Sequence, residues 1–577
     1  MSDPGVAALA AMVLVGVVSV IIGSLGVRVA RSTSDFLVAS RTVGPVANAS
    51  AISGEYLSAA SFLGIAAFIL RDGVDALWAA VAFVGGYLAL VLFIAAPLRR
   101  SGAYTVPDFA ESRLPSPALR RLCTAIVIVI CSLYLLPQLQ GAGLVLATLT
   151  QLPSWTGVVG AAVVVLITVL GGGMRSITFV QAFQFWLKFV ALAVPALVIL
   201  SLFVTDSRTL DRPSAPRFPA DTSIDIRTDV ILETGEPVTL TATGEVDGQP
   251  VAGPMTWGPG IYEVTEGTVL RFTANSPVPT TAGRPTTDAQ WLAPMPRDPG
   301  HRLLSIYSVL VAGFLGTMGL PHVLVRFYTN PDGRAARRTS VVVLAMIGGF
   351  YLMVTLLGVF SRLYTPQLMV SQADAAVLLL PTAVLGENWV GYALSALVAA
   401  GAAAAFLATS SGLVVSLAGV LFTDVMRGRL QRFRLAALLS LVVPLALALT
   451  VTRLDFAVTV PLVFAMAAAT FCPLLVLGIW WRGLTAPGAI VGMVVGGLIS
   501  GVSVVVSLFA VLPDTVIGTL LYRPALLAVP ASFATMVLVS RMTRAKVPAD
   551  VDVTLLRLHA PERLGLGSDR LDRRATG

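Results

Sequence analysis

The residues most able to do chemistry lie between positions 47 and 70, in A-N-A-S-A-I-S-G-E-Y-L-S-A-A-S-F-L-G-I-A-A-F-I-L. Asn48, Ser50, Ser53, Glu55, Ser58 and Ser61 interrupt a run otherwise apolar enough to cross a bilayer core of about 30 Å. A carboxylate near mid-membrane is costly, and such residues face a cavity or a partner rather than lipid. Gly54 beside Glu55 lets a helix open there and turn main-chain carbonyls toward a cation. The competing reading is a packed helix whose small residues seat neighbours and whose hydroxyls bond the preceding turn. The serines alone favour packing; Glu55 with Gly54 favours a site.

A second run, 303–326, contains G-F-L-G-T-M-G-L-P-H-V-L-V-R-F-Y and is likewise interrupted, at Gly319 and Pro321. His322 and Arg326, four apart, share a face and offer positive charge to an anion. Alternatively they mark the inner end of a span, which the distribution of arginines favours for Arg326. Around Pro137, Gln138 and Gln140 are two apart and cannot share one helix face. At most one lines a pathway, with interhelical bonding the equal alternative. Gln181, Gln184 and Lys188 fall on one face, and a lysine this deep needs an acidic partner or water, or else snorkels. Thr409, Ser410 and Ser411 could give hydroxyl oxygens to a hard cation, or bond the carbonyl four residues back.

The elements that must position these residues are membrane helices. The 577 residues are 56% apolar and 12% charged, outside the range of soluble domains. Thirteen apolar runs of about span length recur from residue 5 to residue 541. Segments this long exclude a β-barrel, whose strands need only about ten alternating residues. The first run lacks a basic leader and a small-residue cleavage site, so it reads as a retained peripheral helix. The second interrupted span begins five core helices after the first. Five is odd, so the second set lies upside down relative to the first, and paired breaks in inverted halves point to a binding site.

Arginine is concentrated in alternate loops, at 28, 31, 41, 99, 100, 113, 120, 121, 175, 334, 337, 338 and 427–434, against only Arg71, Arg362, Arg453 and Arg523 opposite. The positive-inside rule then puts the N-terminus outside and the C-terminus in the cytoplasm, in a plasma (inner) membrane. The net charge of +8 is a topology signal and gives no sign of nucleic-acid binding. Cys123, Cys131 and Cys472 lie inside apolar runs at no metal-ligand spacing and read as small buried hydrophobes.

Between 205 and 302 the pattern changes to short alternating runs separated by turn pairs, which predicts a β-rich extracytoplasmic insert, a cap or interaction module. The chain thus divides into a peripheral helix and inner loop (1–45), five helices (46–204), the insert (205–302), five more helices (303–480), peripheral helices (481–541) and a charged cytoplasmic tail (542–577).

Three strings, G-E-Y-L-S-A-A-S-F-L-G from 54, G-G-G-M-R-S-I-T-F-V-Q-A-F-Q from 171 and G-L-P-H-V-L-V-R-F-Y-T from 319, resemble the sodium:solute symporter family, specifically its cation/acetate and monocarboxylate branch. The resemblance covers about 5–541 apart from the insert. It implies an all-α protein of thirteen transmembrane helices, a LeuT-type core of two inverted five-helix repeats, and alternating access. Carried over by position, it gives a Na+ site to main-chain oxygens at Gly54, Leu57 and Ala405 and to hydroxyls at 408 and 409. Thr409 matches. Ala408 departs from the serine usual there, so either Ser410 compensates or the coupling ion is a proton. Glu55 stands where the acetate branch usually has aspartate.

The expected activity is uptake of a small organic anion, acetate or another short monocarboxylate, driven by inward Na+ or H+, with no cofactor besides the transported ion. The expected solute site is Glu55, Ser58, Ser61, Gln138, Gly319 and His322, with Gln181, Gln184, Lys188 and Arg326 in coupling. The alternatives are a carrier for an amino acid, proline-like compound or sugar, and a membrane sensor using the insert. An enzyme is not expected, since no paired carboxylates or His/Cys cluster mark a reaction centre.

Overall fold

Long apolar runs fold as helices because only a helix, or a closed barrel, satisfies its own backbone in lipid. The computed structural model describes residues 4–25, 44–171, 173–205, 214–226, 229–294, 300–330, 333–426, 431–450, 456–509, 515–560 and 564. Its main helices are α1 (Pro4–Leu25), α2 (Pro45–Tyr56), α3 (Leu77–Leu90), α4 (Pro117–Thr150), α5 (Ser154–Leu170), α6 (Gly173–Phe203) and α7 (Gly300–Thr317). They continue with α8 (Gly333–Tyr364), α9 (Ala376–Leu385), α10 (Trp389–Val420), α11 (Gln431–Thr450), α12 (Phe456–Trp480), α13 (Ala486–Phe509) and α14 (Ala525–Met542). The inner loop expected at 28–43 and the tail beyond residue 564 lie outside the described residues.

Among the described residues, 11 helical stretches are long and apolar enough to cross a membrane. The number differs from the thirteen sequence runs for two local reasons. One stretch, Ala60–Arg100, takes in two runs, because a 3-10 turn at Gly73–Ala76 joins them without leaving the helical path. Another run becomes α5, which at 17 residues falls just short of span length.

Helices α2, α6 and α10 pack on one another, α7 packs along α12, and α13 pairs with α14 against α12. The most enclosed of the long helices is α10, whose positions Val398–Val420 are all buried. Its alanines and Gly401 and Gly412 let neighbours close in. Expected as peripheral, α1 packs one face against α6 and α10, where Ser19 is buried, and leaves Val6, Leu14 and Ile21 exposed on the other.

Both expected interruptions are present. After α2 the main chain unwinds at Leu57 and Ser58, then resumes in a π-helical turn, Ala60–Gly64. After α7 the chain turns at Met318–Leu320, and restarts as Pro321–Val325 followed by a 3-10 turn, Arg326–Thr329. Proline can begin a helix but not continue one, which fixes the second restart.

The segment between α6 and α7 is a seven-stranded antiparallel sheet: β1 (Thr222–Asp225), β2 (Val230–Thr234), β3 (Val238–Val246), β4 (Gln249–Trp257), β5 (Gly260–Val264), β6 (Val269–Phe272) and β7 (Thr280–Thr281). The order is β1-β6-β3-β5-β2-β7, with β4 paired to β3. The β3–β4 hairpin turns on Asp247 and Gly248, both at positive φ (52° and 71°), as a two-residue Asp-Gly turn requires. The sheet's core (Leu232, Leu240, Trp257, Leu270, Phe272) is continuous with Leu70, Met369 and Ala373 of the helical body. Trp291 Nε1 donates to Ile69 O at 2.7 Å, and Arg362 Nε to Asp288 Oδ1 at 3.0 Å. These contacts fasten the C-terminal end of this segment to the helix that follows the first break, through Ile69, and to the last turn of α8, through Arg362.

Candidate functional site

At the first break, unwinding frees carbonyls that a continuous helix would use internally. Lys188, from α6, takes them: its Nζ donates to Gly54 O at 2.6 Å and also to Leu57 O. The lysine is fully buried. It neither snorkels nor pairs primarily with a carboxylate, the outcomes weighed from sequence. Gly54 permits this approach of α2 to α6, since a Cβ there would meet Gln181 O at 2.4 Å.

One residue on, Glu55 joins the two broken spans. Arg326 donates through Nε to Glu55 Oε2, through Nη2 to Gln181 Oε1, and through Nη1 to Thr178 Oγ1 at 3.0 Å. Glu55 and Arg326 are each 1% exposed. Arg326 is thus sealed inside the bundle against a carboxylate rather than exposed at a surface. Gln181 Nε2 donates to Ala408 O at 2.8 Å, and Thr409 Oγ1 to Glu55 O at 2.7 Å, tying α10 to the same point. Ala405 is buried on α10, and Ser410 Oγ has no hydrogen-bond partner among the described residues. Gln184 points the other way, donating to Ser19 Oγ of α1 at 2.9 Å.

Beyond the break the polar groups form a second cluster. Ala59 N donates to Gln138 Oε1 at 3.0 Å, and Tyr134 Oη to Ser58 Oγ at 3.3 Å. Tyr134 and Gln138 are four apart, so one face of α4 covers the unwound segment. The His322 ring lies 5.3 Å from the Tyr134 ring, centroid to centroid. Ser61 Oγ and Tyr351 Oη are 3.1 Å apart, and both line a narrow cavity with Tyr56, Phe83, Tyr134 and Phe464. Gly319 packs its α-carbon against α12, where a Cβ would meet Ala467 O at 2.4 Å.

Several buried polar atoms here have no hydrogen-bond partner among the described residues: both ring nitrogens of His322, Gln138 Nε2 and Glu55 Oε1. Buried polar groups are nearly always satisfied, so such a cluster marks a place for a guest or for water. His322 carries at least one N–H in any tautomer, and Gln138 Nε2 carries two. Unclaimed donors thus outnumber the single unclaimed carboxylate oxygen.

A family model, described as the sodium:solute symporter family, matches residues 36–212 and 284–496. The chain belongs to the sodium:solute symporter family. The interval between the two matched parts contains the whole β-sheet. Among curated relatives, this symporter is 28% identical over 525 residues to "Uncharacterized symporter YwcA" of Bacillus subtilis (strain 168), covering 87% of this chain and 88% of that one. It is 26% identical over 497 residues to the "Monocarboxylic acid transporter" of Corynebacterium glutamicum, covering 81% and 78%. Among solved structures, a Na+-coupled sialic acid symporter, in a substrate-bound outward-open state, aligns with TM-score 0.60 at 12% identity, covering 93% of this chain and 98% of that one. The last is a likeness of fold.

Sequence reasoning missed Tyr134, Tyr351, Thr178 and the partners of Asn48, whose Nδ2 donates to Asn330 Oδ1 at 3.0 Å and whose Oδ1 accepts from Thr329 Oγ1 at 3.1 Å. Tyr134 carried a signal, standing one helical turn before Gln138. The others are single polar residues in apolar runs, with partners hundreds of positions away.

Proposed function

We infer that this symporter imports a small organic anion, acetate or another short monocarboxylate, with an inward-moving cation, by alternating access between two inverted five-helix repeats. The observation that carries the solute class is the charge and donor balance between the two breaks. Lys188 and Arg326 bring two cationic groups and Glu55 one carboxylate, while the unclaimed N–H groups of His322 and Gln138 lie alongside. A low-dielectric site with excess positive charge favours an anion. The name of the Corynebacterium relative agrees with this class.

In this reading the carboxylate lies against Ser58, Ser61, Gln138, Gly319 and His322. The Glu55–Arg326 pair, with Gln181, joins the inner ends of the two broken spans and must part or shift for release inward. The arginine distribution sets the N-terminus outside and the tail in the cytoplasm, with the β insert on the outer face. A cation that prefers the outward-open form couples its gradient to the solute through that differential affinity.

The test is uptake of labelled acetate, propionate and pyruvate into proteoliposomes, with proline and glucose in parallel. Saturable uptake of the acids alone supports the reading. Uptake of only the neutral or zwitterionic solutes removes it.

A further inference from the structure

Among the described residues Lys188 is the least exposed cationic side chain, at 0%. Unwinding at Leu57–Ser58 leaves Gly54 O and Leu57 O facing inward beside α6 and α10, and Lys188 Nζ hydrogen-bonds to both. An ion bound to the same two oxygens would have to lie within an ionic diameter of the ammonium, with no water between to screen the like charges. The remaining donors are poorly disposed for a metal. Position 408 is alanine, with no hydroxyl, and its carbonyl already accepts from Gln181 Nε2. Thr409 Oγ1 is directed at Glu55 O. Hard cations such as Na+ require several converging oxygens, and here two of the candidates are occupied by an ammonium and a third is missing.

We propose that the Lys188 ammonium is a built-in cation filling the position between the opened first span and α10, so that this position takes no Na+. Lys188 is a positioning residue. It holds the unwound carbonyls in place in every cycle, and any sodium this symporter carries binds elsewhere. The inference rests on the symport reading but not on the identity of the solute. Removing the side chain leaves the Gly54 and Leu57 carbonyls unclaimed beside the Thr409 hydroxyl, which already reaches the neighbouring Glu55 O, a set that a small cation can occupy.

The experiment uses the purified full chain in detergent, with thermal unfolding followed in NaCl and in choline chloride at matched ionic strength. Lys188→Ala gains a saturable, Na+-specific rise in Tm beyond any shown by the wild type, since a ligand binding only the folded form stabilises it. Ethylammonium, which restores the missing charge, raises the Tm of Lys188→Ala and not that of the wild type. Absence of any gain in Na+ response in Lys188→Ala overturns the proposal. Should that variant fail to fold, Thr409→Ala in the otherwise wild-type chain decides. No Na+ response in its wild-type parent, or a half-saturating Na+ concentration unchanged by the substitution, supports the proposal, and a rise of about tenfold, equivalent to losing a ligand, overturns it. The thermal measurements need no solute, so failure of acetate uptake leaves them interpretable.

Discussion

Arg326 and Glu55, 271 residues apart, form an ion pair in which neither side chain is more than 1% exposed. One comes from the restart of the second broken span and the other from the last turn before the first break. Breaking a sealed pair by removing one partner strands a charge and costs about 3–5 kcal/mol, whereas replacing both is far milder. Arg326→Met should therefore lower the Tm sharply, and Glu55→Gln with Arg326→Met should recover much of the loss. Thermal unfolding of the three variants closes the cycle; an Arg326→Met protein as stable as wild type would show that the pair does not join the spans.

His322→Ala and Gln138→Ala each remove unclaimed N–H donors beside the first break. A hydrogen bond to a charged group is worth about 1.5–3 kcal/mol, so each change should raise the KM for acetate by at least about tenfold. Folding should change little in His322→Ala, since among the described residues the His322 nitrogens have no hydrogen-bond partner, whereas Gln138→Ala also strands Ala59 N and should cost about 1–3 kcal/mol of stability. Initial-rate uptake over a range of acetate concentrations measures this directly.

Close approach at two glycines gives a steric prediction. A Cβ at Gly412 would meet Glu55 Oε1 at 2.0 Å, and one at Gly54 would meet Gln181 O at 2.4 Å. Forced shifts of this kind cost about 1–3 kcal/mol. Gly412→Ala should push Glu55 away from Arg326 and so cost stability as well as transport, by up to about 3–5 kcal/mol for the broken pair. Gly54→Ala pushes on backbone and should lose both, as read by uptake beside thermal unfolding.

The β insert offers an internal contrast. Asp288 pairs with Arg362, whose side chain is 1% exposed, while Arg217 pairs with Glu236 at the surface, 43% exposed. Asp288→Ala should destabilise the full chain by about 3–5 kcal/mol, and Glu236→Ala by no more than about 1 kcal/mol. The two melting curves, recorded side by side, test whether Arg362 fastens the insert to the helical body.

Both breaks were legible because Gly-Glu and Gly-Leu-Pro are poor companions for an uninterrupted apolar helix. The insert was legible from its turn pairs, of which Asp247-Gly248 sits at the hairpin tip. Partners were much harder to read. Lys188 looked like a residue seeking a carboxylate or the surface, since its true acceptors exist only after a span more than a hundred residues away unwinds. Arg326 resembled its neighbours at 334, 337 and 338, and only Glu55, brought alongside by the fold, makes it an interior residue. The bland α1 gave no sign of covering α6 and α10, because a uniformly apolar helix has the same pattern facing lipid or protein.

The most direct measurement is accumulation of labelled acetate in proteoliposomes containing the full chain, under an imposed inward cation gradient, with His322→Ala as the control. Concentrative, saturable uptake that collapses with the gradient and weakens in His322→Ala is the predicted result. Liposomes that accumulate no short monocarboxylate under any imposed Na+ or proton gradient would contradict it.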